Sequence, residues 1–534
     1  MKRIILCADG TGNKGGYTPD SNVYKIYNAI RIHKLDADDS RENQIVYYDN
    51  GVGTAKNKIW RAVTGAVGFG FKRNVCDLYA YLARNYQPTG ENNAEADEVF
   101  VFGFSRGAAT ARAFNGFVHT CGLLDGRKLT EEALRNRVKE EFKRYTKLGK
   151  QKKTDSKPVL GKSHGVIPIK FLGVWDTVSA LGFPKRTDTT GIFSLLLNGL
   201  FETMDYISDK IWSHNFYNYA LTDNVDYAYQ ALAIDDARTA FWPLVWDETE
   251  RKAGSVEQAW FAGVHSNVGG GYERQGLANI VLDWMMIRAQ AHGLIFKDGI
   301  HQQVKADRHV HGRLYNSRDG LAVFYRFHPR QITELHQLSS GDKEIGPIKV
   351  HDSVIERMAR KTANYAPTHL PAQFSVVRSK LDATNEVGEC VMDVDIGTNQ
   401  DWDDARSSVE TNILWRKRSY MAMLTSTLFI LASALYFRFS STPDPDTWNG
   451  LHGHIAKTLD YILPDFFRGL LEVTIVQTPI WFWGALVFYI LLFIINEKVF
   501  RKGTQTAAAG LRRQLLHQLE KSGKATSVGK LSNK

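Results

Sequence analysis

The sequence predicts an α/β protein, a mostly parallel sheet with helices on both faces, followed by a two-helix hairpin long enough to span a membrane. Three observations carry this. Short apolar runs alternate with helical stretches through the first half of the chain, the pattern of a parallel sheet. One run ends in Gly103-Phe104-Ser105-Arg106-Gly107, where strand gives way to helix. Two later segments, 419–437 and 476–496, contain no charged residue, and a helix needs about 20 apolar residues to cross a bilayer.

Taken in order, residues 3–8 read as a buried strand running into the turn-rich Asp9-Gly10-Thr11-Gly12-Asn13. Ile45–Tyr48 is a second strand, followed by the loop DNGVGT. Residues 65–86 form a helix with Val75, Leu78, Tyr79 and Leu82 on one face. Glu98–Phe104 is the third strand, and Ala108–Val118 the helix after it. A basic helix (Thr130–Leu148) and a Lys-rich linker to about Ser163 interrupt the alternation. Strands resume at 167–178, 228–235 and 256–266, and 277–294 is a strong helix.

The charge balance narrows the function. The net charge is +10 over 534 residues, but Lys143–Lys162 and 497–534 carry +7 each and leave the rest acidic. Basic charge confined to two solvated segments does not make a phosphate-binding face, which argues against nucleic-acid binding. The four cysteines have no C-x-x-C spacing, which argues against a zinc knuckle and a disulfide framework. MKRIILCADGTG has too short an apolar core for a signal peptide.

The two apolar segments are flanked by Arg416-Lys417-Arg418 and by Lys498, Arg501 and Lys502. The loop between them carries three basic residues (Arg438, Lys457, Arg468) against five acids (Asp444, Asp446, Asp460, Asp465, Glu472). The positive-inside rule then puts both ends in the cytoplasm and the loop outside, with Trp481, Phe482 and Trp483 near the outer interface. Residues 454–473 space apolar positions at helical intervals. That piece either lies along the outer surface or packs on the spans.

G-x-S-x-G between a strand and a helix is the nucleophile-elbow signature of α/β-hydrolases. A serine hydroxyl needs a base, and the base a carboxylate to orient it. Asp176 ends the run FLGVW, and His265 ends WFAGV ahead of three glycines, Gly269–Gly271. Glycines there suggest a backbone passing close to the substrate or the elbow. Asp235 and Asp236, ending ALAI, are the reserve for the acid. The backbone of Arg106, with Gly10 and Thr11 in the earlier loop, is the candidate oxyanion hole. Asp9-Gly10-Thr11 also suggests aspartyl-phosphate phosphatases, but Cys7 stands where their nucleophile would be. No G-K-[ST] follows a glycine turn, so there is no P-loop.

LCADGTGN, SNVYKIYNAI, GVGT, FVFGFSRGAATAR, IKFLGVWDTVSALG, ALAIDDAR, QAWFAGVHSNVGGGY, VHDSVIERM and NYAPTHLP, in that order over about 1–370, carry a further signal. Together they resemble the bacterial α/β-hydrolase family that includes phospholipase effectors of type VI secretion. The resemblance implies a lipid-ester hydrolase with Ser105 as nucleophile, His265 as base and Asp176 as acid, needing no metal or organic cofactor. Two departures are visible: Asn267 stands where the family has Asp, and the terminal hairpin is one a secreted effector would not need. The implied layout is a catalytic domain 1–370 with a basic insertion at about 127–165 and a connector 371–415. A hairpin 416–502 follows, with external loop 438–475, and then a basic cytoplasmic tail 503–534. The chain is then expected to be integral to a bacterial inner membrane, catalytic domain inside, acting on membrane phospholipid. Self-protection implies restraint by a partner, by homo-oligomerisation, or by a lid such as Gly191–Trp212, a segment that ordinary core packing would equally explain.

Overall fold

The computed structural model describes residues 1–10, 13, 15–16, 19–32, 43–51, 70–89, 95–150, 163–179, 220–249, 251–252, 254–340, 346–381, 387–397, 399–440, 444–463 and 465–521. Thr11, most of the GVGT loop, the Lys-rich linker and the apolar segment 191–212 lie outside them.

The chain divides into two units, residues 1–319, 329–397 and 516–534 forming one and 320–328 with 398–515 the other. In the first, a nine-stranded sheet runs β2-β1-β3-β4-β5-β6-β7-β8-β9. Its elements are β1 (Arg3–Ala8), α1 (Asn22–Ala29), β2 (Gln44–Asp49), α2 (Phe71–Asn85), β3 (Glu98–Phe104), α3 (Arg106–Cys121) and α4 (Glu131–Lys150), then β4 (Ile169–Trp175), β5 (Val225–Ala233) and β6 (Val256–Phe261). There follow α5 (His265–Gly269), α6 (Gly276–Ala291), α7 (Ile300–Ala306), α8 (Ile332–Ser340), β7 (Lys349–His351), α9 (Asp352–Ala359), β8 (Gln373–Leu381) and β9 (Val387–Asp395). All neighbours pair in parallel except β8 and β9.

Strands covered on both faces read as continuous apolar runs, which is why β1 and β3–β6 stand out in sequence. One face packs Ile4, Leu6, Val99 and Val101 under α2, α3 and α4. The other packs Ile5, Cys7, Phe100, Phe102 and Trp175 under α1 and α6. The chain leaves β1 toward β2 and returns to add β3 on the opposite side. Such a switch point opens a crevice outside the carboxyl ends of the strands, where α/β sheets bind ligands.

The expected connector 371–415 is corrected. Residues 373–381 and 387–395 are an antiparallel hairpin that completes the sheet, and a helix starts at Gln400. Their alternation of polar and apolar residues is that of an edge exposed on one face rather than of a linker.

In the second unit, α10 (Gln400–Ser440) is 41 residues long, twice what a bilayer core requires. After α11 (Gly450–Ile462), the chain enters α12 (Pro479–Ile494), which continues through a π turn into α13 (Lys502–Lys521), whose residues from Leu516 on belong to the first unit. Trp415 stacks on Phe500 with centroids 6.0 Å apart, and Thr427 meets the Tyr489 hydroxyl at 3.1 Å. These two contacts fix α10 and α12 as antiparallel neighbours. Their apolar windows are scarcely buried, with Phe429, Phe439, Ile480 and Phe493 exposed. Core helices of a soluble protein would be covered. Between the two, Trp448, Ala456, Leu471 and Ile475 form a small cluster of their own, so the intervening segment is folded.

Candidate active site

The site is built at the carboxyl edge of β1 and β3–β6. Ser105 caps α3 with φ +58° and ψ −123°, a region costly for any residue with a side chain. Two bonds hold it there: Ser105 N–H donates to Trp175 O at 3.0 Å, and Ser105 O accepts from Val178 N–H at 3.3 Å. The elbow is thus laced to the end of β4. Gly107 is required for a simpler reason. A Cβ there would lie 2.2 Å from Ala8 O, so only glycine lets α3 start against β1.

Asp176, the next residue after β4, also has positive φ, +44°, and is fully buried. That turn aims its carboxylate at the histidine. His265 opens α5 just past β6, and its Nδ1 lies 2.5 Å from Asp176 Oδ2. An ionised carboxylate only accepts, so the proton sits on Nδ1 and Nε2 is left as the acceptor. Phe104, immediately before the serine, packs on the imidazole at 4.6 Å between centroids, and Phe241 meets it edge-on at 5.0 Å. The structure therefore brings Ser105, Asp176 and His265 to one end of the sheet.

Of the glycines after His265, Gly269 passes close to the elbow. A Cβ on Gly269 would fall 1.9 Å from the Phe104 ring. Asn267 pins this turn with both ends of its amide: Oδ1 accepts from Val264 N–H and Tyr315 N–H, and Nδ2 donates to Arg313 O. A carboxylate could not make the last bond.

The two reserve acids are nearby but do not reach the imidazole. Asp236 accepts the backbone N–H of His265 at 3.2 Å and is forked by Arg238. Asp235 accepts from Gly263 N–H and the Tyr365 hydroxyl, and burial pushes its carboxyl up to about 6. Burial also lowers His265, against the opposing pull of Asp176.

Of the oxyanion candidates, Arg106 opens α3, in the first turn, whose amides lack intrahelical acceptors. Gly10 is placed against Ser105, but its N–H donates to Asp9 Oδ1 at 2.6 Å. It is therefore corrected as a donor in this conformation. Asp9 gathers Asn13, Ser21 and Tyr48 as well, at 3.0, 2.5 and 2.6 Å, tying the loop after β1 to α1 and β2.

Sequence reasoning missed Arg330. Its guanidinium forks Asp176, Nη1 to Oδ1 at 2.6 Å and Nη2 to Oδ2 at 2.7 Å, and it is almost completely buried. Burial raises the Asp176 carboxyl, yet Arg330 and His265 together hold it well below its usual range. No local pattern marks this arginine among the chain's 67 Lys and Arg. Among the described residues no group of three or more His, Cys, Asp or Glu could hold a metal ion. A polar cavity of about 670 Å³ lies apart from this site, lined by Asp283, Arg308, Asp352 and Arg378 among others. Asp283 already pairs with Arg308, and Asp352 with Arg378.

A strained serine follows a central strand, and a buried histidine bonded to an aspartate lies at the same end of the sheet. The family model "T6SS, Phospholipase effector Tle1-like, catalytic domain" matches residues 2–288, more than half of the chain, and the chain belongs to that family. A curated relative, "Uncharacterized protein YEL023C" of Saccharomyces cerevisiae (strain ATCC 204508 / S288c), is 30% identical over 210 residues, 34% of this chain and 27% of that protein. The chain thus spans about a quarter of that relative's length. Two solved structures are similar at 16% identity and a TM-score of 0.34. One, the Tle1 effector bound to the VgrG spike of the type 6 secretion system, covers 65% of this chain and 81% of its own. The other, an uncharacterized protein from Pseudomonas aeruginosa, covers 79% and 59%.

Proposed function

We propose that the chain is a membrane-anchored serine hydrolase cleaving acyl ester bonds of glycerophospholipids, with Ser105 as nucleophile, His265 as base and Asp176 as its orienting acid. The observation that carries this is the 2.5 Å bond between buried His265 and Asp176 at the sheet end holding the strained Ser105. Ser105 Oγ attacks the acyl carbonyl while His265 Nε2 takes its proton. The imidazolium then protonates the leaving lysolipid alkoxide, and His265 next deprotonates the water that frees the fatty acid. The Arg106 amide supports the oxyanion. Membership in a family of phospholipase effectors supports lipid as substrate.

The exposed apolar helices support anchoring. Antiparallel register brings Arg416-Lys417-Arg418 level with Lys498, Arg501 and Lys502, and the positive-inside rule puts that end in the cytoplasm of a bacterial inner membrane. Tethering keeps the site at high effective concentration near its substrate. Such an enzyme threatens its host's own bilayer, so restraint by a partner or by self-assembly follows, and with it a toxin or defence role.

The test compares purified full chain with Ser105→Ala in mixed-phospholipid proteoliposomes, reading products by mass spectrometry. Fatty acid and lysolipid from wild type alone support the proposal; equal products from both refute it. Hydrolysis of p-nitrophenyl butyrate without lipid products would leave a serine hydrolase of soluble esters. Retention of the chain in carbonate-washed membranes tests the anchor, and release into the wash would refute it.

A further inference from the structure

A triad acid needs one oxygen for the histidine. The other is ordinarily satisfied by neutral donors, leaving the carboxylate's charge to favour the imidazolium. Here four donors converge on a fully buried carboxylate: His265 Nδ1–H, Ala233 N–H at 2.9 Å, and both ends of the Arg330 fork. A forked guanidinium fixes the carboxylate plane in a way that separate neutral donors do not. The same guanidinium donates to Ala233 O at 2.5 Å and to Phe241 O. Phe241 is the ring packed edge-on to His265. One buried cation thus joins the ends of β4 and β5 and the turn at Thr239–Phe241.

Resting on the serine-hydrolase reading above, we propose that Arg330 is a positioning residue for the reaction. It locks the Asp176 carboxylate on His265 and, by cancelling that charge, keeps the imidazole an uncharged base under mildly acidic conditions. The charged groups acting on His265 are Asp176 after β4 and Asp236 and Arg238 after β5, and Arg330 before α8 forks the first of them. Two arginines oppose two acids, so the pull of Asp176 and Asp236 does not outweigh the burial that disfavours the imidazolium. Removing Arg330 leaves Asp176 unbalanced, and the imidazolium becomes easier to form.

The magnitude follows from Coulomb's law. A unit charge about 5 Å away at an effective dielectric constant of about 20 moves a protonation equilibrium by about two pH units. Rearrangement and water entry reduce that to between about one and two.

The experiment measures the rate of Ser105 labelling by a fluorophosphonate against pH, on full chain in detergent, for wild type, Arg330→Gln and Arg330→Lys. The acid limb of Arg330→Gln is expected to move up by about one to two units. Arg330→Lys keeps the charge but not the fork, so its limb stays within about half a unit of wild type while its plateau rate falls about tenfold. A limb unmoved in Arg330→Gln, or shifted equally in both variants, overturns the assignment. Should Arg330→Gln fail to fold, Arg330→Lys decides alone: a limb shifted by a unit or more overturns it, and an unmoved limb with a lowered plateau supports it. Wild type that takes no label on Ser105 refutes the serine-hydrolase reading itself, and this inference with it. A labelled wild type with an unmoved variant limb refutes this inference only.

Discussion

Replacing Asp176 by Asn separates the carboxylate's role from its shape. The side chain is completely buried and receives His265, Ala233 and two Arg330 donors. An amide keeps one accepting oxygen and turns the other position into a donor. If its oxygen faces His265, its NH2 points at Arg330 and at Ala233 N–H. If reversed, the imidazole loses its acceptor at Nδ1 and moves its proton to Nε2, where it can no longer take one from Ser105. Either way Arg330 loses its counter-charge in the interior, and breaking a buried pair costs about 3–5 kcal/mol of stability. In the serine-protease template the same change lowers kcat about 10⁴-fold, a barrier increase of about 5 kcal/mol. The assay is p-nitrophenyl butyrate hydrolysis by full chain in detergent, with thermal unfolding to establish that the variant is folded. Asp235→Asn and Asp236→Asn serve as comparisons, since neither carboxylate touches the ring, and are expected within about tenfold of wild type. A folded Asp176→Asn within tenfold of wild type, with Asp236→Asn reduced a thousandfold, would refute the reasoning.

Ser105→Gly should abolish hydrolysis yet raise stability by about 1 kcal/mol, because glycine accepts the positive φ without strain; a lowered Tm would contradict this. Gly107→Ala should destabilise by about 3 kcal/mol, since its Cβ meets Ala8 O at 2.2 Å; a Tm equal to wild type would show that α3 can move. Asp235 offers a pH test. Its folded carboxyl, raised by burial to about 6 from 3.8, contributes stability that is present below pH 3.8 and lost as pH rises through 6, about 3 kcal/mol in all. The Tm of Asp235→Asn should therefore gain on wild type between pH 4 and 7, whereas parallel Tm curves would contradict the shift.

The inner strands were legible because both faces of a parallel sheet are buried, so FVFGF, FLGVW and AWFAGV read as unbroken apolar runs. For the same reason Ser105, Asp176 and His265 could be placed at one edge, each following such a run. The edge strands were not legible: β7 is three residues long, and QFSVVRSKL interleaves Arg and Lys with its apolar positions. The choice among Asp176, Asp235 and Asp236 depended on where the turns aim side chains, and the positive φ at Asp176 is a tertiary property. Arg330 lies 154 residues from the carboxylate it forks, in a stretch with no periodicity to mark it. Gly10 lies against the elbow, but the carboxylate of Asp9 folding back on its amide could not be read from the chain.

Intact-mass and peptide mapping after fluorophosphonate treatment test the central claim most directly. One adduct is expected, on Ser105, present in wild type and lost with His265→Ala. A wild-type protein left unmodified, or modified on another serine, would contradict it.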